Sequence, residues 1–426
     1  GVRPLEAADR ERWRLETEKL SARGLRVLGL AYRSLPAGRP VGESEEKDLV
    51  FLGLAGMRDP PRAESARAVR ACRQAGIATV MITGDHPLTA QAVGREIGLL
   101  ERDARVVTGE ELDRLDDGAL ADEIDRIRIF ARVSPRHKMR IVRAFKAKGH
   151  VVAMTGDGVN DAPAVKEADI GVAMGRTGTD VTKEAASLVI LDDNFATIVA
   201  AIEEGRAIYD NIRKFIRYLL GCNTGEILTM FLGMILGLPL PLLPLQILWI
   251  NLVTDGLPAL ALGLEPAERD IMSRPPRRPK EGIFAGGLWA KILWQGLSIG
   301  LSTLVSFALT LAVFPGQLGR ARTVAFTVLV LAQLVFALAC RSERTALWES
   351  ARSGNPYLLW TISLSAAMHL LVIYLPWLAN LFTVVPMTLS DWLIVLGFTG
   401  WSVVLGEAYR PTRTLIRRTA LGRAGA

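Results

Sequence analysis

Three short segments of the chain combine hydroxyl, carboxylate and amine groups with glycine, and each follows a strand-like run. Their candidate residues are Thr83, Gly84 and Asp85, then Lys138, then Asp157, Asn160 and Asp161. Two carboxylates four residues apart, with a glycine between them, offer hard oxygen ligands for Mg²⁺, which usually holds few protein carboxylates, water and a phosphate. Backbone N–H groups at a helix start favour phosphate, and an early lysine neutralises phosphoryl oxygens. The three segments predict Mg²⁺-assisted phosphate chemistry.

An ordinary capped turn is the competing interpretation of each segment. Thr83-Gly84-Asp85 taken alone is equally compatible with a turn and with a phosphate site. The three segments occur in this order within one pattern of alternating strands and helices. That combination favours the phosphate site over three unrelated turns.

A second group of polar residues lies inside apolar sequence of membrane-spanning length. Asn223 and Glu226 are three residues apart on one predicted helix, and Asn251, Thr254 and Asp255 share a face of the next. Interhelical hydrogen bonding would explain the amides and the hydroxyl. It does not explain two carboxylates, because ionisable groups at membrane depth are costly and mark ion paths. Hard oxygens, with Gly256 and Pro258 interrupting the helix, favour a cation such as Ca²⁺.

Strands alternating with helices must position the first group. The predicted strands are Leu25–Tyr32, Phe51–Met57, Ile77–Thr83, Ile127–Val133, Val151–Thr155, Ile170–Met174 and Leu188–Leu191. The predicted helices are Ala7–Ala22, Arg62–Ala75, Pro87–Ile97, Pro135–Lys148 and Pro163–Glu167. This alternation predicts an α/β fold with a doubly wound, Rossmann-like, mainly parallel sheet, whose ligands bind at the carboxyl ends of the strands.

One long helix is predicted to begin after Asn194, a good N-cap, and no proline follows until Pro239. Its faces carry charges up to Arg217 and are apolar all round beyond Tyr218. A helix of roughly 60 Å would therefore begin in water and end in lipid.

Six apolar segments complete an all-α membrane bundle. The predicted spans are Tyr218–Leu236, Leu242–Leu262, Leu288–Phe314, Thr323–Cys340, Tyr357–Leu378 and Leu389–Gly406. Lys and Arg concentrate in the connections 265–287 and 341–355 and in the tail from Arg410, which predicts that this side and the soluble part are cytoplasmic. We therefore expect a multi-pass protein of a bacterial-type plasma membrane.

Composition excludes several other classes. The 426 residues are half hydrophobic with a net charge of +7, but the basic residues form no patch with interleaved aromatics, so no nucleic-acid partner is expected. Cys72, Cys222 and Cys340 are too far apart in sequence for a disulfide framework or a CxxC metal site. The chain opens on Gly1 without a signal peptide, as though cut from a longer sequence.

Several motifs resemble those of the P-type cation-transporting ATPases. They are MRDPPR (Met57–Arg62), MITGD (Met81–Asp85), ARVSPRHK (Ala131–Lys138), TGDGVNDAPA (Thr155–Ala164) and EEGRAIYDNIRKFIRYL (Glu203–Leu219). NLVTDGLPALALG (Asn251–Gly263) is similar to the calcium-pump branch. The resemblance implies a haloacid-dehalogenase-like phosphorylation domain, six C-terminal spans, and ATP, Mg²⁺ and transported Ca²⁺ as ligands.

The resemblance also implies roles for individual residues. Asp157 would hold Mg²⁺ with Asp161, supported by Asn160, while Lys138 and the Thr83–Asp85 loop would hold the transferred phosphoryl group. Arg26, Asp59 and Arg62 would lie near the nucleotide, although a surface arginine beside a strand explains Arg26 nearly as well. The transported cation would meet Asn223, Glu226, Asn251, Thr254, Asp255 and Gln333, the last standing where calcium pumps often have a glutamate.

The resemblance divides the chain into seven segments. They are a nucleotide-domain remnant (1–48), the phosphorylation domain (49–200), a stalk (201–217), two spans with the cation site (218–262), a loop (263–287), four spans (288–409) and a basic tail (410–426).

One departure from the family pattern limits the activity expected of this chain. The DKTGT motif that carries the phosphorylated aspartate is absent from the sequence. An actuator domain, most of a nucleotide domain and four spans are also missing, so we expect an N-terminal half as partner. The chain alone is expected to form no acyl-phosphate.

Two other classes of function stay open. A membrane-tethered phosphatase of the same superfamily would need a DxDx[TV]-like nucleophile, and none is found. A non-catalytic membrane remnant or subunit would use the fold for binding, against which intact Lys138, Asp157 and Asp161 argue. An in-frame DKTGT directly upstream would favour the pump.

Overall fold

The structure is a computed structural model that describes residues 2–35, 46–57, 60–100, 104–342 and 354–408. The chain separates into two compact units. The first comprises Gly1–Glu203 with Arg269–Lys280, and the second comprises Glu204–Glu268 with Glu281–Ala426. The first unit is α/β and the second is helical.

Strands and helices alternate in the first unit. Its strands are β1 (Arg26–Tyr32), β2 (Val50–Met57), β3 (Met81–Ile82), β4 (Arg105–Thr108), β5 (Ile127–Ala131), β6 (Ala153–Gly156), β7 (Ile170–Met174) and β8 (Leu188–Ile190). Its helices are α1 (Ala7–Ala22), α2 (Ser65–Gln74), α3 (Pro87–Glu96), α4 (Gly109–Arg114), α5 (Asp117–Glu123), α6 (Pro135–Ala147), α7 (Ala162–Glu167) and α8 (Asp180–Ala185). Single 3₁₀ turns occur at Ile124–Arg126 and Ile271–Ser273.

The described strands form two parallel sheets and one antiparallel pair. The parallel sheets have the orders β3-β5-β4 and β6-β7-β8, and β1 pairs with β2. Successive residues of β5 point to opposite faces: Phe130 packs with Ile141 of α6, whereas Ile129 packs with Ala90 of α3. Helices therefore cover both faces, and the predicted parallel α/β fold is confirmed.

Two details of the predicted sheet were wrong. The expected strand Ile77–Thr83 is reduced to Met81–Ile82, because Ile77 N donates to Cys72 O (2.8 Å) and closes the end of α2 instead of pairing. Strand β4 was not predicted, since its four residues are too few to show a period of two.

The pair β1–β2 spans the predicted boundary at residue 48. Val27 lies opposite Gly56, and Trp13 of α1 packs edge-on against Phe51 at 5.1 Å between ring centroids. The predicted nucleotide-domain remnant and the start of the predicted phosphorylation domain thus share one hydrogen-bonded ribbon. The boundary itself stays a prediction.

The membrane helices belong to the second unit, except that the first of these helices begins in the first unit. They are α9 (Phe195–Ile235), α10 (Pro244–Trp249), α11 (Gly256–Leu262), α12 (Leu288–Val313), α13 (Leu318–Cys340), α14 (Pro356–Tyr374), α15 (Pro376–Phe382) and α16 (Leu389–Ala408). A π-helical turn, Ile250–Thr254, joins α10 to α11, and Ala285–Gly287 forms a 3₁₀ turn. By length and composition, six helical segments of the described chain can cross a membrane.

Helix α9 agrees with the sequence prediction in both extent and capping. It is one helix of 41 residues, and the side-chain oxygen of Asn194 accepts from Ala196 N at 2.9 Å. The predicted span Tyr357–Leu378 was wrong as one helix, because it breaks before Pro376. Leu375 is extended there (ψ 114°), as expected for a residue preceding proline.

Candidate phosphate site and candidate cation site

The loop after β6 brings the lysine and one carboxylate of the candidate phosphate site together. Pro135 and Lys138 both lie in the first turn of α6, directly after the loop that follows β5. The Nζ atom of Lys138 forms an ion pair with Oδ1 of Asp161, whose residue is only 8 % exposed. The charge of Asp161 is therefore neutralised from within the protein.

Asp157, in the same loop, is presented differently. Its backbone oxygen accepts from Thr179 N at 2.9 Å, while its exposed carboxylate makes no hydrogen bond among the described residues. Gly156 permits the loop to close, because a Cβ atom there would collide with the side chain of Asp161. An exposed carboxylate beside a paired one fits Mg²⁺, which takes one or two carboxylates and keeps several waters. Asn160 is also exposed.

The Thr83–Asp85 loop is fixed by local and neighbouring bonds. Thr83 Oγ1 donates to Asp85 Oδ2 (3.0 Å) and accepts from Asp85 N (3.1 Å). Arg132 N donates to Asp85 O and Val133 N to Thr83 O, so this loop adjoins the loop that leads to Lys138. Gly84 has open space where a side chain would be. The backbone of this loop is exposed at Gly84, so an oxyanion could approach its N–H groups.

Two of the three predicted nucleotide residues, Arg26 and Arg62, lie among the described residues, and no contact between them is described. Arg26 is exposed on β1, and Arg62 donates from Nη1 to the backbone oxygen of Asp193 at 2.5 Å, far along the chain. Asp59 lies outside the described residues. The nucleotide roles of these residues stay predictions.

The candidate cation site has Glu226 at its centre. Its Oε2 accepts from Asn251 Nδ2 at 2.9 Å, and its Oε1 accepts from Gln333 Nε2 at 3.0 Å. Glu226 is 5 % exposed, yet both donors are neutral amides. The three residues come from α9, the π-helical turn and α13, so the structure joins three of the six predicted ligands by hydrogen bonds.

Asp255 is the second buried carboxylate of this site. Tyr218 OH donates to its Oδ1 at 3.1 Å, and the Cys222 thiol lies beside it. Its Oδ2 and the Oε1 of Gln333 are buried and accept no hydrogen bond within the described chain. A buried oxygen without a donor is costly, and a cation is the ligand that such oxygens suit.

The backbone at this site departs from α-helical geometry. Asp255 N donates to Ile250 O (2.9 Å) across the π-helical turn, and Thr254 Oγ1 donates to the same oxygen (3.1 Å). Such turns inside helices occur at functional sites and shift the backbone carbonyls from their usual partners. No cluster of three His, Cys, Asp or Glu side chains within the described ranges could hold a metal. A cation here would therefore combine two carboxylates with amide or backbone oxygens.

Asn223 is the predicted ligand that no described hydrogen bond joins to the others. It is half-buried on α9, and no side-chain hydrogen bond is described for it. Its role stays a prediction, as do the roles of Asn251, Thr254 and Gln333.

Two features of the second unit were not predicted. Tyr218, Cys222 and Glu226 are spaced at four residues along α9, so that a face analysis could have found the tyrosine that contacts Asp255. Arg341 forms a buried ion pair with Glu265 (Nη2 to Oε1, 2.9 Å), although its sequence context indicates only a cytoplasmic-side charge. Asn355 Nδ2 donates to the other oxygen of Glu265 at 2.7 Å. These long-range partners carry no local sequence signal.

Two family models match the chain. The model for the C-terminus of cation-transporting ATPases matches residues 239–411, and the model for haloacid dehalogenase-like hydrolases matches residues 13–169. The two matches correspond to the helical and the α/β parts of the chain.

Several calcium ATPases are similar to this chain along most of its length. A calcium-transporting ATPase of Bacillus subtilis is 52 % identical over 381 residues, covering 89 % of this chain and 43 % of its own length. A calcium-transporting ATPase of Listeria monocytogenes is 42 % identical, covering 92 % and 44 % respectively. The endoplasmic reticulum calcium ATPase of Aspergillus fumigatus is 38 % identical, covering 92 % and 45 %. The chain thus spans less than half the length of these relatives.

Proposed function

This chain belongs to the P-type cation-transporting ATPases, matching the C-terminal half of calcium-pump members, and we propose that it serves an ATP-driven pump whose cargo is Ca²⁺. In this proposal it supplies the phosphorylation machinery and half of the ion pathway. The phosphorylated aspartate lies outside the chain, in the N-terminal half of the pump.

The observation that carries the proposal is the pair Glu226 and Asp255. Both are buried in helices of membrane-spanning length, and their described hydrogen-bond donors are two amides and a hydroxyl, all neutral. Ionised carboxylates in that setting need a positive charge, and the site offers spare buried oxygens to hold one. The similarity to calcium-transporting ATPases supports Ca²⁺ as that charge.

The phosphate site supports the use of ATP. Lys138 and the Thr83–Asp85 loop would bind and orient the transferred phosphoryl group, with Asp161 holding the lysine in place. The exposed carboxylate of Asp157 fits Mg²⁺, which when bound would offset the charge of the phosphate oxygens. The protein's own contribution is thus positioning and charge.

The chain is part of a multi-pass membrane protein, and we place it in a bacterial-type plasma membrane. Basic residues of the connection between α11 and α12 support a cytoplasmic position for that connection and for the α/β unit. The basic tail, outside the described residues, would lie on the same side.

Nucleotide-driven flux tests the proposal. The complete polypeptide is reconstituted in sealed vesicles, and uptake of radiolabelled Ca²⁺ is measured with and without ATP, with Asp157→Asn as the inactive control. We expect ATP-dependent uptake that the variant lacks. Equal Ca²⁺ uptake with and without ATP would refute the proposed pump function. Phosphate-ester hydrolysis without Ca²⁺ flux would instead indicate a membrane-tethered phosphatase.

A further inference from the structure

The loop between β7 and α8, residues 175–179, is bonded at both of its ends. At one end Thr179 N donates to the backbone oxygen of Asp157 at 2.9 Å. At the other, Arg176 N and Thr177 N donate to the two carboxylate oxygens of Asp193, at 2.9 and 2.8 Å. The loop therefore connects the candidate Mg²⁺ ligand directly with Asp193.

This loop has little room to deform. Gly175 N donates to Ile190 O at 2.8 Å, and a Cβ atom at Gly175 would lie 2.8 Å from the same oxygen. A Cβ atom at Gly178 would collide with the carbonyl oxygen of Met174. A loop packed this closely against its own strands moves as one piece with them.

Asp193, which accepts the hydrogen bonds from Arg176 and Thr177, has an uncommon backbone conformation. It is 8 % exposed and has a left-handed backbone (φ 53°), a conformation that costs energy in residues other than glycine and persists only where the surroundings fix it. The backbone N–H of Arg176 lowers the pKa of its carboxyl, and the N–H of Thr177 adds to this effect. Its own carbonyl accepts from Arg62.

Asp193 stands immediately before the start of α9. The next residue, Asn194, is the N-cap of that helix, which continues without interruption to Ile235. The path from Asp157 to the first turn of α9 thus consists of two sets of hydrogen bonds and one tight loop. Glu226 lies on the same helix.

We infer that Asp193 is a positioning residue that ties the start of α9 to the Asp157 loop, so that movement at the phosphate site reaches the helix that carries Glu226. The inference rests on the proposed function. It assigns Asp193 to the coupling of phosphorylation with transport, and it gives Asp193 no contact with nucleotide or cation.

The neighbouring Asp192 provides a matched control. Its carboxylate accepts from Asn194 N (3.1 Å) and Thr197 Oγ1 (2.6 Å), both at the start of α9. Asp192→Asn removes a carboxylate charge at the same place without touching the bonds to residues 176 and 177.

The test uses the complete pump in sealed vesicles and measures phosphoenzyme from ATP together with cation transported per ATP hydrolysed. Asp193→Asn and Asp193→Gly both tolerate the left-handed backbone, but the amide loses one of the two bonds and the glycine loses both. We expect both variants to keep phosphoenzyme within about twofold, while the transport ratio falls about fivefold and Asp192→Asn keeps the wild-type ratio.

Three results would overturn the inference. They are an unchanged transport ratio in both Asp193 variants, an equal fall in Asp192→Asn, and a loss of phosphoenzyme that parallels the loss of transport. A wild-type pump that moves no cation would instead refute the proposed function. The two failures are therefore distinguishable.

Discussion

The acidic residues of the two candidate sites are neutralised in opposite ways. In the α/β unit the buried Asp161 has a lysine of the same protein against it, and the exposed Asp157 is left available. In the membrane unit the described donors to Glu226 and Asp255 are neutral groups only. A carboxylate that is permanently paired holds a structure together, whereas one that lacks a charged partner is prepared for a mobile cation.

The largest effect is expected from removing either acidic residue of the candidate cation site. Asp255→Ala or Glu226→Ala in the complete pump should abolish phosphorylation from ATP at the Ca²⁺ concentrations that just saturate the wild type, because the site loses one of its two charges. We expect the apparent affinity for Ca²⁺ to fall at least about a hundredfold, which is about 2.7 kcal/mol. Phosphoenzyme formation against free Ca²⁺ concentration measures it.

Two controls accompany these variants. Phosphorylation from inorganic phosphate should survive in both, and Glu204→Ala, an exposed position on the same helix, should behave as wild type. Cation dependence that persists in both site variants would show that the cation site was assigned to the wrong residues.

The next effect tests the α/β side. Lys138→Ala removes the cation paired with Asp161 and should slow phosphoryl transfer from ATP by about 10²–10³-fold, as loss of one preorganised charge does. Rapid-quench phosphorylation at saturating Ca²⁺ measures the rate. Lys146→Ala, on the same helix, serves as control.

Adding Asp161→Asn to Lys138→Ala separates folding from chemistry. The double variant should regain thermal stability, because no buried charge is left alone, but it should not regain phosphorylation. Recovery of the rate would mean that the lysine acts only as a structural partner.

A third prediction uses Glu265, a buried acid of the membrane unit that has its own cation. Arg341→Met leaves Glu265 without its positively charged partner and should lower the free energy of unfolding by about 3–5 kcal/mol. Arg274→Met, which breaks the more exposed pair with Asp270, should cost at most about 1 kcal/mol. Thermal unfolding of purified protein in detergent compares them.

The same measurement sharpens the contrast with Glu226. Without Ca²⁺, Glu226→Gln should leave thermal stability unchanged or raise it, since no charged partner is lost. A loss as large as that in Arg341→Met would show that Glu226 is a structural acid after all.

The smallest effect is a pH dependence in the α/β unit. The folded-state pKa of Asp193 is lowered, chiefly by the backbone N–H of Arg176, so its stabilising contribution is present above the ordinary carboxyl value of about 4. The contribution is lost as the pH falls from there through the lowered pKa. The difference in Tm between wild type and Asp193→Asn should be constant from neutral pH to about pH 5 and shrink below about pH 4. A difference that stays constant down to pH 3 would contradict this assignment.

Local patterns explain how much of the structure was predictable. Helix α9 was predicted from one continuous stretch of sequence, which has an N-cap residue, a periodic apolar face and no proline. The loops carrying Asp157 and Thr83 were found because each directly follows a strand. In both cases neighbouring residues decide the conformation.

Distant pairing explains what was missed. Arg341 meets Glu265 across 76 positions. Gln333, which meets Glu226 across 107 positions, was expected at the cation site from the family resemblance and not from any spacing. No spacing rule connects such residues, because their contact depends on how the helices pack. The π-helical turn at Ile250–Thr254 is also a product of packing, since Gly256 and Pro258 predict only that the helix is disturbed nearby.

Helix α9 has 41 residues and no proline, so it measures about 60 Å from end to end. Because the helix is so long, a tilt of about 5° at one end displaces the other end by about 5 Å, which is one helical pitch. The metal–oxygen distances that separate Ca²⁺ from Mg²⁺ differ by only a few tenths of an ångström. The displacement that a small rotation at the first turn produces is thus many times larger than the change in metal–oxygen distance by which a cation site tightens or releases its ion.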